Sequence, residues 1–283
     1  MNKIRVVTDS TADLPREIVD ELEIIVVPLK VSFGTEVYRD GVDMTTREFI
    51  DRLEKDEEIL PTTSQPSPGE FVAIYEKLIA KGDTIISIHL SGNLSGTIQS
   101  AQTAKTLTDS RDIYIIDSKS ASMGLGLIVM AAARAARDGK TVREILAIVK
   151  DKIEKNFVLF LVDTLDYLEK GGRIGKAHAL LGTILKIKPI LTLDEEGQIV
   201  PLEKVRGKNR AIERIVEVIR ERIDSSKRYS MALVYGNDYS GMVRLKDQIL
   251  SQINCEEVLI SELGPVIMSH TGPGLIGIIV CPY

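Results

Sequence analysis

Short runs of branched aliphatic residues alternate along the chain with longer amphipathic segments. IRVV (4–7), TIISI (84–88), DIYIID (112–117) and FVLFLV (157–162) are continuous and apolar. That is the pattern of strands buried on both faces, and it predicts a mostly parallel sheet flanked by helices. Thr45, Ser67 and Thr141 each precede a Glu by three residues, the spacing of a capping box in which hydroxyl and carboxylate reciprocally satisfy two backbone amides. At Ser67 the following Pro68 falls on the first helical position, where no amide hydrogen is needed. Helices are predicted over 127–137 and 141–153.

The second half has a different rhythm. Residues 190–206 alternate around Glu196-Gly197, which predicts a β-hairpin. Ile212, Ile215, Val216, Ile219 and Ile223 share one helical face within 209–223. A strand at 231–236, a helix near 240–252 and strands at 256–263 and 275–281 follow. The fold class is therefore α/β with two domains. The N-terminal one (1–155) is built on a mostly parallel sheet, and the C-terminal one (156–283) on a mixed sheet.

Composition narrows the function. The chain has 283 residues, enough for about two domains. Lys and Arg total 36 against 41 Asp and Glu, which argues against a nucleic-acid binder. Aromatics are 5% with no Trp, few for a protein that grips by stacking. Cys255 and Cys281 form no metal-binding pattern, so no metal site is expected. No apolar run reaches the ~18 residues that span a bilayer, and the N-terminus lacks a signal-peptide pattern. The expectation is a cytoplasmic protein without an integral membrane segment.

Familiar enzyme signatures fail. Residues 92–96 have the wrong spacing for a nucleophile elbow, and 171–177 are too short for a P-loop and lack its hydroxyl. Hydroxyl-rich segments remain. PTTSQPSPGEF (61–71) contains Thr62 and Thr63, and HLSGNLSGTIQSA (89–101) contains Ser91, Ser95, Gly96 and Thr97. The second follows a predicted strand and opens a helix, the edge of an open sheet where ligands bind and free amides favour an anion. Residues 269–274, Ser-His-Thr-Gly-Pro-Gly, are expected to form a tight turn carrying His270. Lys170, Arg173 and Lys176 make a basic turn before an apolar helix, a solvated loop or a surface for a partner or phosphate. Three strands end in Asp plus a hydroxyl (Asp9, Asp117, Asp163), most simply caps, with Asp9 the best placed of them for a site.

Six of these pieces together resemble the DegV family of bacterial fatty-acid-binding proteins. They are TDSTADLP (8–15), TTSQPSPGEF (62–71), LSGNLSGTIQSA (90–101), IIDSKSASMGLG (115–126), LEKGGRIG (168–175) and HTGPGLIG (270–277), in the family's order. The resemblance implies a two-domain protein enclosing one long-chain fatty acid, such as palmitate, near the domain junction. Thr63 and Ser95 would hold the carboxylate, with Thr62, Ser91 and His270 as neighbours and Gly96 and Thr97 beside them. It implies no catalytic residue and no cofactor, but a fatty acid kinase as partner, with Arg173 and Arg206 facing that partner or its phosphate. With no Lys or Arg between 82 and 104, neutral donors and a helix N-terminus are expected to hold the head group. The competing readings are an enzyme, a hydrolase or phosphotransferase using Ser95 and His270, and a regulatory protein without a ligand.

Overall fold

The computed structural model describes residues 3–55, 60–181, 187–224, 226–253 and 255–283. Its strands are β1 (Ile4–Asp9), β2 (Ile25–Val27), β3 (Lys30–Phe33), β4 (Glu36–Arg39), β5 (Thr62–Ser64), β6 (Thr84–His89), β7 (Ile113–Asp117), β8 (Phe157–Leu161), β9 (Ile187–Leu193), β10 (Ile199–Arg206), β11 (Tyr229–Tyr235), β12 (Cys255–Glu262) and β13 (Ile276–Pro282). The helices are α1 (Arg16–Glu21), α2 (Thr46–Lys55), α3 (Pro68–Ile79), α4 (Thr97–Thr108), α5 (Met123–Arg137), α6 (Val142–Lys155), α7 (Asp166–Lys170), α8 (Lys208–Arg222), α9 (Tyr239–Leu250) and α10 (Pro265–Thr271).

A four-stranded parallel sheet in the order β2-β1-β6-β7 forms the first half. A six-stranded mixed sheet in the order β10-β9-β8-β13-β11-β12 forms the second. The α/β class with a parallel and a mixed sheet is as the sequence predicts. The strand at 157–161 has the apolar run of a parallel strand, but it pairs antiparallel with β13 in the mixed sheet. A strand covered on both faces has the same apolar run in either direction, so composition cannot tell the two apart.

Local signals hold where they are local. Ser67 and Thr141 complete both halves of their capping boxes, and Thr45 exchanges the same bonds with Glu48. The hairpin turns between β9 and β10, with Gly197 at φ 76°. Helix α5 begins four residues before its predicted start. Its glycines lower helix propensity, but a side chain on Gly126 would stand 2.8 Å from the Ala12 carbonyl oxygen, so close packing against the β1 turn requires them. A third, three-stranded sheet (β4-β3-β5) was not legible, and it carries Thr63.

The mixed sheet sorts its apolar residues by parity. Leu159, Leu161, Ile276 and Ile278 face α8 and α9. Phe160, Val234 and Ile279 face the other way, into a cluster shared with α5 and the first sheet. This second face is the floor of the functional site.

Candidate ligand site

A cavity of about 920 Å³, counting its open mouth, lies on that floor. Val158, Phe160, Val234, Gly277 and Ile279 line it from the mixed sheet, and Leu90, Leu94 and Ser95 from the loop after β6. Val266, Ile267, His270 and Thr271 close it from α10. Gly277 is paired with both Phe160 and Val234. A side chain there would meet the Val234 Cγ2 at 3.0 Å and the Phe160 Cβ at 3.2 Å, so the missing Cβ keeps the floor open.

The polar groups converge at one end. Thr63 Oγ1 and His270 Nε2 are 2.7 Å apart. His270 Nδ1 is buried, has no hydrogen-bond partner, and abuts Gly171, where a Cβ would lie 2.3 Å away. An orphaned N–H costs more than an orphaned lone pair. The proton is therefore assigned to Nε2, donated to Thr63, which leaves the Thr63 hydroxyl hydrogen for an acceptor in the cavity. Burial, reinforced by the Arg173 charge, pulls the His270 pKa down to about 4, so the ring is neutral near pH 7. Ser95 Oγ pairs with Thr97 Oγ1 at 2.9 Å and accepts from the Thr97 amide at 3.3 Å. Gly96 is the N-cap of α4, and a side chain there would strike Gln65 Nε2 at 2.9 Å.

Arg173 also lines this end. Its Nε donates to the Leu94 carbonyl at 3.0 Å and one terminal nitrogen to the Gly171 carbonyl at 2.7 Å. A cation thus stands beside the neutral donors that the sequence suggested. That suggestion rested only on the residues near Ser95 in sequence, and the cation arrives from a turn 79 positions away. A second cleft, called here the outer cleft, shares Thr63, Arg173 and His270 with the cavity and adds Thr62, Tyr167 and Lys170.

The structure brings Thr63, Ser95, His270 and Arg173 together and leaves other predicted residues apart. Thr62 faces the outer cleft. Ser91 is buried against Gly197 of the hairpin and accepts from the Asn93 amide. Thr97 is buried behind Ser95. Arg206 ends β10, exposed and off the cavity lining, paired in register with Ile187. Gln65 lines the mouth and was not singled out, although it sits inside the hydroxyl-rich segment. His270 is in the last turn of α10 rather than in a tight turn. Gly264-Pro265 opens that short helix and Gly272, at φ 75°, stops it. The basic turn leads into a 3-10 stretch, Gly175–Leu180, instead of an apolar α-helix. The sequence segment that carries this turn runs over 165–182, and its last position lies outside the described residues.

A serine–histidine–aspartate relay does exist, in another place. Ser87 Oγ lies 2.7 Å from His89 Nε2, and His89 Nδ1 lies 2.9 Å from Asp9 Oδ2. All three are completely buried, and Tyr75 completes the chain at 2.8 Å from Ser87. Asp9 also accepts from the Thr11 and Leu90 amides. With no exposed surface, the relay pins the ends of β1 and β6 and holds no nucleophile to a substrate. At the cavity, Ser95 and His270 bond to Thr97 and Thr63 rather than to each other. Among the described residues no group of side chains is arranged to hold a metal ion, and no helix is long and apolar enough to cross a membrane.

Comparison with known proteins is consistent along the whole chain. The family model described as the DegV family of uncharacterised proteins matches residues 3–283. A DegV domain-containing protein from Halalkalibacterium halodurans is 40% identical over 279 residues, 98% of either chain. The solved structure of a DegV family protein from Thermus thermophilus, described as fatty-acid binding, matches with a TM-score of 0.94 at 38% identity, covering 99% of this chain and 100% of that one. A stearic-acid-binding protein from Eubacterium ventriosum matches with a TM-score of 0.89 at 28% identity, covering 100% and 98%.

Proposed function

Because the chain belongs to the DegV family, we propose that it is a cytoplasmic carrier that binds one long-chain fatty acid and presents the carboxylate to a fatty acid kinase. The observation that carries this reading is the polarity of the cavity: an aliphatic slot with Thr63, Ser95, His270 and Arg173 gathered at one end. Burying ~14 methylenes at about 0.8 kcal/mol each gives on the order of 11 kcal/mol before association costs. The tail therefore supplies most of the affinity, and branched aliphatic walls suffice.

The head needs hydrogen bonds to offset lost hydration. The Thr63 hydroxyl, oriented by His270, and the Ser95 hydroxyl are the donors, and Arg173 supplies the charge. The outer cleft with Lys170 leaves a path by which a phosphoryl donor on the partner could reach a carboxylate seated at Thr63. A hydrolase at this site is disfavoured by the separate bonding of Ser95 and His270. The test is mass spectrometry of an organic extract of the purified protein. A C14–C18 acid at about one per chain is expected, and a protein that neither carries nor takes up such acids overturns the reading.

A further inference from the structure

Behind the wall of the cavity lies a second polar site. Asp13 is buried and held in the left-handed region at φ 49°. One oxygen of its carboxyl accepts the Gly264 amide at 3.0 Å, and the other lies 2.5 Å from the Ser122 hydroxyl. Its backbone carbonyl accepts the Ser261 hydroxyl. Ser122 precedes α5, lines the cavity, and is itself strained at φ 51°, ψ −146°, a region nearly reserved for glycine. Gly264 is the N-cap of α10, which carries His270. A single carboxyl group thus ties together two elements of the cavity wall.

That carboxyl has an acidic neighbour. Asp40 is 3% exposed; the Ser10 hydroxyl and the Val266 amide face its carboxyl, but neither oxygen gains a hydrogen bond of full geometry. Both acids crowd Gly264: a side chain there would meet Asp13 Oδ1 at 2.9 Å and Asp40 Oδ1 at 3.3 Å. Among the described residues no cation pairs with either of them. Of the charged groups around them, Asp9 is a third acid bonded to His89. Arg16 is exposed and pairs with Asp20, and Glu262 accepts from Tyr235. From α5 and α10 the bonds to Asp13 come from the Ser122 hydroxyl and the Gly264 amide.

We propose that Asp13 and Asp40 retain one proton between them at neutral pH, and that this proton is the latch that keeps α5 and α10 closed over the cavity. Two ionised carboxylates cannot be held side by side without a cation or a proton. Loss of the proton sets two like charges against each other across Gly264. The strained Ser122 then has reason to let go, and the wall that carries His270 loosens. Burial foremost, with the two neighbouring acids, raises Asp13 well above the usual carboxyl range, and burial raises Asp40 to about 6. Asp13 is here a positioning residue, and its effect on affinity rests on the fatty-acid reading above.

The test uses the intact protein with wild type, Asp13→Asn and Asp40→Asn. Infrared spectra should show a protonated carboxyl band near pH 7 in wild type, beyond the pH where ordinary Asp and Glu are ionised, and a smaller one in either variant. As the band disappears on raising the pH, affinity for a fluorescent fatty acid should fall about tenfold or more in wild type and stay flat in Asp13→Asn. Hydrogen exchange at residues 121–126 and 264–271, corrected for its intrinsic pH dependence, should rise over the same interval in wild type. If Asp13→Asn does not fold, Asp40→Asn carries the comparison. A wild type without the band, or one whose affinity and exchange ignore its loss, overturns the proposal. If no fatty acid binds at any pH, the functional reading fails, while the infrared and exchange measurements still decide the latch.

Discussion

Thr63 and His270 stand 207 positions apart in the chain and 2.7 Å apart in the fold, the one on a short edge strand and the other at the end of a seven-residue helix. Their contact defines the polar end of the cavity, and the first expected outcome follows from it. Thr63→Val should leave the protein folded and weaken fatty-acid binding by about 1.5–3 kcal/mol, the range for a hydrogen bond to a charged group. Thr63→Ser should retain most of the affinity. Competition against a fluorescent fatty acid measures both, and equal affinity of the valine variant and wild type would remove Thr63 from the site.

The ionisation of His270 is checked by proton NMR. Its imidazole should titrate near pH 4, well below an ordinary histidine. The sign follows: the unfolded chain takes up this proton below about 6.5 and the fold resists it until about 4. His270 therefore stabilises the fold above that window relative to within it, and stability is lost as pH falls from 6.5 to 4. Replacing it with Asn should remove this part of the acid sensitivity.

Gly277 tests the tail. Gly277→Val places two methyl groups against Val234 and Phe160, an overpacking that costs about 1–3 kcal/mol if the wall yields. Long-chain binding should be lost and short acids affected less. Calorimetric titration over a series of chain lengths decides it, with equal loss at every length as the contrary result.

Arg173 is the one cationic side chain among the described residues that line the cavity. Arg173→Ala should weaken binding about tenfold, in line with the loss of one charge-assisted contact. Lysine should recover part of it, because it restores charge without the guanidinium fork that clamps the Leu94 and Gly171 carbonyls. Unchanged affinity in the alanine variant would confine Arg173 to the outer cleft.

The buried relay predicts a change in stability rather than in binding specificity. Asp9→Ala strips the acceptor from His89 and from two backbone amides at once. Uncompensated buried partners of this kind cost about 3–5 kcal/mol. Denaturant unfolding should show a loss of that order, larger than for Ser95→Ala.

What was legible in the sequence was what is encoded locally. The Ser67 capping box, the hairpin at Gly197 and the helical face of Ile212, Ile215 and Ile219 depend on neighbours within a few positions. The helix-start position of Ser95 and Gly96 is of the same kind. The direction of β8 depends on β13, more than 100 residues later, and leaves no local trace. Helix α10 was hidden because seven residues between two strands make too few turns to show a period. The hydroxyl of Thr63 stood out by composition, whereas the arrival of Arg173 beside it is a tertiary event. Asp40 was invisible for the same reason: nothing in Arg39-Asp40-Gly41 says that its carboxylate will be sealed against Asp13.

The slot above Gly277 is walled by the same residues that form the central core, Phe160, Val234 and Ile279 among them. An acyl chain seated there completes the core much as a missing side chain would. A ligand that binds only the folded state stabilises it in proportion to its concentration, and small gains in stability alter how much of a protein escapes proteolysis. The abundance of this protein in the cell should therefore track the supply of its lipid. On the fatty-acid reading, newly made chains are expected to turn over more slowly when acids are plentiful than when they are scarce, which pulse-chase labelling with and without added fatty acid would measure.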